Sequence, residues 1–383
     1  MIDFDLTEEQ LAMQRAAREF TENEIKPIAA ELDSDSEHKF NWDIIRKLAA
    51  NDFLRMTTPV EYGGIGLDRR TTYFVIEEIA AGCAGIAITV AVHNMHGADI
   101  IRDWGSEEQK RQYLPLLCDT RNPVLAAFTA TEHDTGSDIV SMSSTAVKDG
   151  DDYILNGTKC FITNGGVAGV YLGFAYTDKS KGHKGISGFI IPADTPGVLV
   201  GKIEDKMGQR ASQTSEVVYE NVRLPRENLL SNEGDGFAIM MDSLNKGRPC
   251  ITAAISVGLA RAAFDAALNW AKTRIQFGHP IFSNQAISFQ LVDMATMIET
   301  ARLLSLKAAW LIDRGLPHIK ESAMAKFYCS DMAMKVTTDA LQVLGGYGYM
   351  KDFPMEKYMR DAKILQIYEG TNQIQHVVAA GRL

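Results

Sequence analysis

The run Asn122-Pro123-Val124-Leu125-Ala126-Ala127-Phe128-Thr129-Ala130-Thr131 is where this chain changes its local grammar. Upstream, apolar residues recur at helical spacing; from here on come short runs of β-branched and aromatic residues, which suit a pleated, half-buried surface. They cover Val124 to Thr131, Thr145 to Lys148, Tyr153 to Leu155, Lys159 to Thr163, Val170 to Thr177, Ile186 to Ile191 and Ser215 to Glu220. Asp149-Gly150 and Asn156-Gly157 supply turn chemistry between runs, so the middle block is predicted to be an antiparallel β domain.

Helical grammar flanks this block on both sides. Thr7 with Gln10 forms a capping box and Leu6 with Leu11 a hydrophobic staple, which together start a helix. Further helices are predicted at 41–51, 69–81, 84–104 and 107–117, the last set off by Gly105 and by a second box, Ser106 with Gln109. After Asn228 the helical period returns, most clearly in Ile287, Leu291, Met294, Ile298, Ala301, Leu304, Ala308 and Leu311. The chain reads as a multidomain α+β protein with blocks at 1–121 (α-helical), 122–231 (β) and 232–383 (a bundle of long helices).

With 46% apolar and 23% charged residues in 383, the composition is that of a globular chain with a large core. A formal charge of -10 argues against nucleic acid or an anionic membrane surface as main partner. Met1-Ile2-Asp3-Phe4-Asp5 lacks the basic and apolar regions of a signal peptide, and Ile79 to Val92 is too short to span a bilayer. A cytoplasmic location without membrane insertion is expected. Cys83, Cys118, Cys160, Cys250 and Cys329 are odd in number and far apart, so they are expected to be buried thiols, with no disulfide framework and no metal site.

Five segments could carry chemistry. Thr129 to Asp138 is dense in hydroxyls and reads either as a polar turn or as a strand end offering donors to a polar ring or a phosphate. Phe161 and Thr163, two apart on a strand, can cover a flat ring and reach its polar edge; a core aromatic beside a turn fits equally. Arg274-Ile275-Gln276-Phe277-Gly278 and Gln342-Val343-Leu344-Gly345-Gly346-Tyr347-Gly348 suit a diphosphate, although a glycine-rich helix end needs no ligand. Gln366-Ile367-Tyr368-Glu369-Gly370-Thr371-Asn372-Gln373-Ile374-Gln375 sets a carboxylate before a glycine and a hydroxyl residue at the start of a final helix. Taken alone, Glu369 reads more readily as an acid offsetting a helix dipole than as a base. The glycine-rich loop Pro59 to Leu67 lacks the strand and spacing of a nucleotide motif and reads as a turn.

Together these pieces resemble the acyl-CoA dehydrogenase family over essentially the whole chain. The resemblance is carried by Leu6-Thr7-Glu8-Glu9-Gln10, Pro59-Val60-Glu61-Tyr62-Gly63-Gly64, Thr131-Glu132 with Gly136-Ser137-Asp138, Ile162-Thr163-Asn164, Asp205-Lys206-Met207-Gly208, Arg274 to Gly278, Leu344 to Tyr349, and Met359-Arg360-Asp361-Ala362-Lys363 leading into Tyr368-Glu369-Gly370-Thr371. It implies a β-barrel-like middle domain between an α-helical N-terminal domain and a C-terminal four-helix bundle. It also implies FAD held between the middle and C-terminal domains, a homotetramer built as a dimer of dimers, and electron-transferring flavoprotein as partner.

The implied reaction is α,β-dehydrogenation of an acyl-CoA to the trans-2-enoyl-CoA: Glu369 takes the α-proton and flavin N5 receives the β-hydride. Another branch of the family carries its acid at the position of Gly247, where glycine cannot serve. The Glu369 pKa is expected to rise toward neutrality as substrate expels water, and its N–H, with a ribityl hydroxyl of FAD, to hold the thioester oxygen. By the same resemblance, Thr131 and Thr163 lie beside the isoalloxazine ring, Phe128 and Ala130 form its strand environment, and Phe161 stands where many members have Trp. Thr371 and Gln373 match contacts at the adenine and phosphate end, and Arg274, Phe277, Gln342 and Gly346 grip FAD across a subunit boundary. Ser137, Asn245, Arg248 and Gly370 fall at CoA-ester positions.

Three departures stand out. His133-Asp134-Thr135 replaces the usual Pro-Gly-Ala, Asn245 replaces a frequent Asp, and His93 and His96 fall on the helix that lines the acyl pocket in relatives. An imidazole facing that pocket would fit a small, cyclic or functionalised acyl group rather than a plain long chain, and the expected substrate is a short, branched or cyclic acyl-CoA. The competing readings are an acyl-CoA oxidase and a flavin-bearing non-catalytic or nucleic-acid-associated relative; the charge of -10 and the presence of Glu369 argue against the latter.

Overall fold

In the computed structural model, which describes residues 5–35 and 39–383, both capping boxes open helices as their sequences require. The reading made for Met1 to Phe4 lies outside the described residues. Helices α1 (Glu8–Phe20), α2 (Ala29–Ser34), α3 (Trp42–Ala50), α4 (Arg69–Gly82), α5 (Ala84–Val92), α6 (Asp99–Trp104) and α7 (Glu107–Leu117) make up the first block. The helix expected over 84–104 is continuous in path, but its middle, His93–Ala98, is π-helical. Such a bulge turns the side chains after it relative to a regular helix, a distortion frequent at functional sites.

The middle block holds β1 (Leu125–Thr129), β2 (Thr145–Asp149), β3 (Asp152–Thr163), β4 (Ala168–Tyr176), β5 (Ile186–Pro192), β6 (Val198–Ile203), β7 (Thr214–Leu224) and β8 (Leu229–Leu230). The sheet order is β6-β7-β3-β2-β4-β5-β8, with β1 paired to β4. Two expectations need correction. β1 runs parallel to β4, and β2 meets β4 in parallel at Thr145 and Tyr176, so the sheet is mixed rather than purely antiparallel. Asn156-Gly157 is not a turn: it lies inside β3, which is one long strand whose pairing with β7 shifts register between Leu155 and Gly157. Strand β6 was not foreseen because, on the sheet edge and half exposed, it carries no alternating pattern.

The last block comprises α8 (Gly236–Gly247), α9 (Ala254–Thr273), the small hairpin β9 (Ile275–Gln276) and β10 (His279–Pro280), α10 (Gln285–Asp313), α11 (Ile319–Leu344), α12 (Gly346–Tyr349), α13 (Met355–Lys363) and α14 (Asn372–Ala380). Of the stripe read on α10, Leu291, Met294, Ile298, Ala301 and Ala308 are buried. α9 packs against α4, α10 and α11, and one apolar cluster runs from Ala17 to Leu365, so the first and last blocks share a core. The helical run Gly236–Thr273 is long and apolar enough to cross a membrane, yet 67% of its apolar 18-residue stretch is buried inside the molecule, as expected of a core helix. All five cysteines are buried and free.

A buried ionic clamp ties these helices together. Glu78 on α4 accepts from Arg18 of α1 at 2.8 Å and from Arg261 of α9 at 2.6 Å, and the adjacent Glu77 accepts from Arg302 of α10 at 2.8 Å. Burial works to raise the Glu78 pKa, but the two guanidinium groups bring it below the ordinary carboxylate value. The clamp fixes α4, whose continuation through α5 and the π-helical turn delivers His96 to the site.

Candidate active site

Glu369 occupies the turn between α13 and α14 in the left-handed region, φ 60°, followed by Gly370 at φ 82°. For a non-glycine residue that conformation costs of order 1–3 kcal/mol and persists only where the surroundings impose it. Here they do. Arg248 Nε donates to the Glu369 carbonyl at 3.1 Å and Gln375 Nε2 to the same oxygen at 3.2 Å, while Thr371 caps α14 by accepting from the Ile374 N–H. The Glu369 N–H has no acceptor among the described residues.

The Glu369 side chain is only 11% exposed, and its Oε2 lies 2.9 Å from His96 Nε2. The other ring nitrogen of His96 is 2.7 Å from Ser243 Oγ on α8. One turn further along α8, a Cβ at Gly247 would stand 2.9 Å from His96 Cε1, so the glycine leaves the space that the imidazole fills. Phe128 of β1 covers the ring, its centroid 5.1 Å from that of His96. Burial works to raise the Glu369 pKa, but His96, then Arg248 and Lys326, outweigh it and hold the carboxyl below its ordinary value. The rise expected as substrate expels water would start from this lowered value, because the buried carboxylate is surrounded by cationic and proton-donating groups.

Of the two pocket histidines, the structure brings only His96 to Glu369. His93 Nε2 is 2.7 Å from the Leu54 carbonyl and Nδ1 accepts from the Ala126 N–H at 3.2 Å, so both nitrogens are engaged by backbone. Burial pushes its pKa down to about 4, and it remains a neutral structural residue. The expectation of a ligand role for His93 is therefore corrected.

Arg248 is buried, and its Nη1 donates to Asn245 Oδ1, which joins two predicted ester-site residues into one unit beneath the Glu369 turn. Ser137 is exposed on the loop after β1. In that loop Glu132 and Thr135 exchange both backbone hydrogen bonds, so His133-Asp134-Thr135 forms a tight turn, with His133 Nε2 3.1 Å from Glu216.

The sequence reading missed Lys326 and Ser243. Lys326 is fully buried on α11, where its Nζ donates to Asn372 Oδ1 at 2.7 Å, and burial pushes its pKa down to about 7. A lysine on the α11 face that also carries Ala323, Cys329, Ser330 and Ala333 was the available signal. The unfolded chain binds a proton that folded Lys326 releases between about pH 7 and the ordinary lysine value of ~10.4, so unfolding free energy should rise with pH in that window. Lys326→Met is expected to flatten this rise, as read from chemical denaturation at pH 6.5, 8 and 9.5.

The residues matched to FAD form two groups. On the sheet, β3 bulges between Lys159 and Ile162, where Lys159 and Cys160 are both buried; Phe161, at φ 58°, presents a ring that is 62% exposed, and Ile162 between it and Thr163 is buried. In nearby loops Thr135 Oγ1, Ser212 Oγ and Gln213 Oε1 are buried without a hydrogen-bond partner among the described residues. Unpaired buried oxygens beside an exposed aromatic fit a flat polar ring system such as isoalloxazine. At the end of the bundle, the Arg274 guanidinium lies over the rings of Trp270 and Tyr347, 5.8 and 5.5 Å from their centroids. Gly346 begins α12 beside Tyr347, Gln342 is in the last turn of α11, and Phe277 is 94% exposed at φ 52°. Thr371 is committed as the α14 cap, and Gln373 is exposed. Among the described residues no cluster of three or more His, Cys, Asp or Glu could hold a metal.

Comparison with known proteins matches the acyl-CoA dehydrogenase N-terminal domain to residues 7–121, the middle domain to 127–222 and the C-terminal domain to 234–383. A short-chain specific acyl-CoA dehydrogenase of Clostridium acetobutylicum is 42% identical, with 100% of each chain covered. A cyclohex-1-ene-1-carbonyl-CoA dehydrogenase of Syntrophus aciditrophicus is 44% identical, over 99% of this chain and 91% of its own. A chain solved in work on the electron transferring flavoprotein of Acidaminococcus fermentans superposes with a TM-score of 0.96 at 45% identity, covering 100% of this chain and 99% of its own.

Proposed function

Since this chain belongs to the acyl-CoA dehydrogenase family, we propose that it removes the α-proton and β-hydride of a short, branched or cyclic acyl-CoA, with Glu369 as the base. It is an oxidoreductase and FAD is its cofactor. When bound, FAD supplies the hydride acceptor. Thr131, Thr163 and Phe161 would hold its ring in the strand environment of Phe128 and Ala130, and Thr371 and Gln373 its adenine and phosphate end. Arg274, Phe277, Gln342 and Gly346 would reach the cofactor of a second subunit. The homotetramer, the cytoplasmic location, the division at 1–121, 122–231 and 232–383, and electron-transferring flavoprotein as acceptor belong to the same proposal.

The observation that carries this reading is the Glu369 turn. Its carboxylate is buried, ionised by its neighbours and fixed, and the same residue offers an unpaired N–H to a developing enolate oxygen. Arg248, hydrogen-bonded to Asn245 and to the Glu369 carbonyl, keeps that N–H directed and, with Gly370 and the exposed Ser137, lies at the predicted CoA-ester positions. The His96 imidazole fills the space above Gly247, and on this reading it leaves less room for a long acyl chain than for a small acyl group.

Purified, FAD-loaded protein mixed anaerobically with short, branched, cyclic and long-chain acyl-CoAs is expected to bleach its flavin with the first three and to reduce electron-transferring flavoprotein on turnover. Rapid peroxide release in air with no transfer to the flavoprotein would instead mark an oxidase. A preference for long chains would overturn the substrate assignment.

A further inference from the structure

The hydrogen inventory around His96 has a consequence for the base. Ser243 has one hydroxyl proton and two neighbours, His96 Nδ1 at 2.7 Å and the Met95 carbonyl at 3.4 Å. If the hydroxyl donates to Nδ1, the neutral imidazole must carry its proton on Nε2. If it donates to the carbonyl, Nδ1 carries a proton and Nε2 can face an ionised carboxylate only as the second N–H of an imidazolium. With the Glu369 carboxyl ionised, both arrangements put an Nε2–H on it at 2.9 Å.

We propose that His96, locked by Ser243, is a positioning residue for Glu369: it donates Nε2–H to the carboxylate, keeps it ionised and fixes which oxygen remains free to take a proton. This inference rests on Glu369 being the base. His96 is itself buried, with 1% exposure, between Phe128, Ser243 and the surface of Gly247. The other groups facing Glu369 are Arg248 at the end of α8, Lys326 on α11 and, on its own segment, Tyr368; Asp331 faces Lys326 in turn. Arg248 is committed to the Glu369 backbone carbonyl and Lys326 to Asn372, which leaves His96 as the side chain hydrogen-bonded to the carboxylate among the described residues.

His96→Leu removes the donor and leaves an apolar group, so the midpoint for Glu369 protonation should rise by about one to two pH units. The acid limb of kcat/KM should move up with it, lowering activity about tenfold at a pH one unit below the wild-type plateau. His96→Gln restores an N–H donor and should return most of the shift. Ser243→Ala, which keeps the imidazole but frees it to turn, should shift the midpoint in the same direction by less. The readout is the infrared band of the protonated carboxyl during a pH titration of the FAD-loaded protein, assigned by its loss in Glu369→Gln, recorded beside the pH profile. A raised midpoint in His96→Leu that His96→Gln recovers supports the proposal. An unchanged midpoint in His96→Leu and Ser243→Ala overturns it and reduces His96 to packing. Normal flavin reduction by Glu369→Gln would instead sink the base assignment and leave the infrared result standing, so the two failures are distinguishable.

Discussion

Glu369→Gln is expected to slow flavin reduction by a short acyl-CoA by about 10²–10⁴-fold while FAD stays bound, as read by anaerobic stopped-flow absorbance. The amide keeps the size of the side chain and can still accept from His96 Nε2, so the turn at φ 60°, its Arg248 and Gln375 contacts and the free N–H should persist. Only the capacity to take a proton is removed. Binding of a CoA ester should therefore be retained while the chemical step fails, a pattern that separates a lost base from a collapsed pocket. Repositioning of the base to α8 is not open to this chain, because the space above Gly247 belongs to the imidazole.

Glu132→Gln is expected to have the largest effect on folding, a loss of about 3–5 kcal/mol in denaturant unfolding, because it leaves a buried charge unpaired. Lys159 is fully buried, and its Nζ reaches Glu132 Oε1 at 2.8 Å and the Ala130 carbonyl at 3.2 Å. Glu132 also accepts from the hydroxyls and N–H groups of Ser143 and Ser144. Burial works to raise its pKa, yet Lys159 and the two serines hold it at about 2. With the folded value below the unfolded one, the stabilisation is complete above the ordinary glutamate pKa of ~4.3 and is lost as pH falls through about 2. The wild-type protein should thus lose part of its stability across that window, and the variant should lack that part of the pH dependence. Because this pair braces the turn that carries Thr131 and Thr135, FAD retention should fall with it.

The helices and most strands were legible because their signals are local: two capping boxes, an apolar stripe on α10 and β-branched runs bounded by turns. Asn156-Gly157 misled because its turn chemistry was overridden by pairing with β7, and the parallel β1–β4 pairing is a long-range choice with no local mark. At the candidate site, Glu369, Arg248 and Asn245 carry the family resemblance in sequence, whereas Ser243 and Lys326 gave no signal of their own, since Ser243 meets His96 only where α8 packs on the π-helical turn and Lys326 meets Asn372 only where α11 packs on α14. Nor could sequence separate His93 from His96. Three residues apart within a π-helical turn, one meets backbone and the other a carboxylate.

The most direct test of Glu369 as the base is exchange of the α-hydrogens of a bound short acyl-CoA with deuterated water, followed by mass spectrometry in wild-type and Glu369→Gln proteins carrying FAD. The wild-type protein should incorporate deuterium at the α-carbon and the variant should incorporate essentially none. Equal incorporation by the two would contradict the assignment and place the base elsewhere in the cavity.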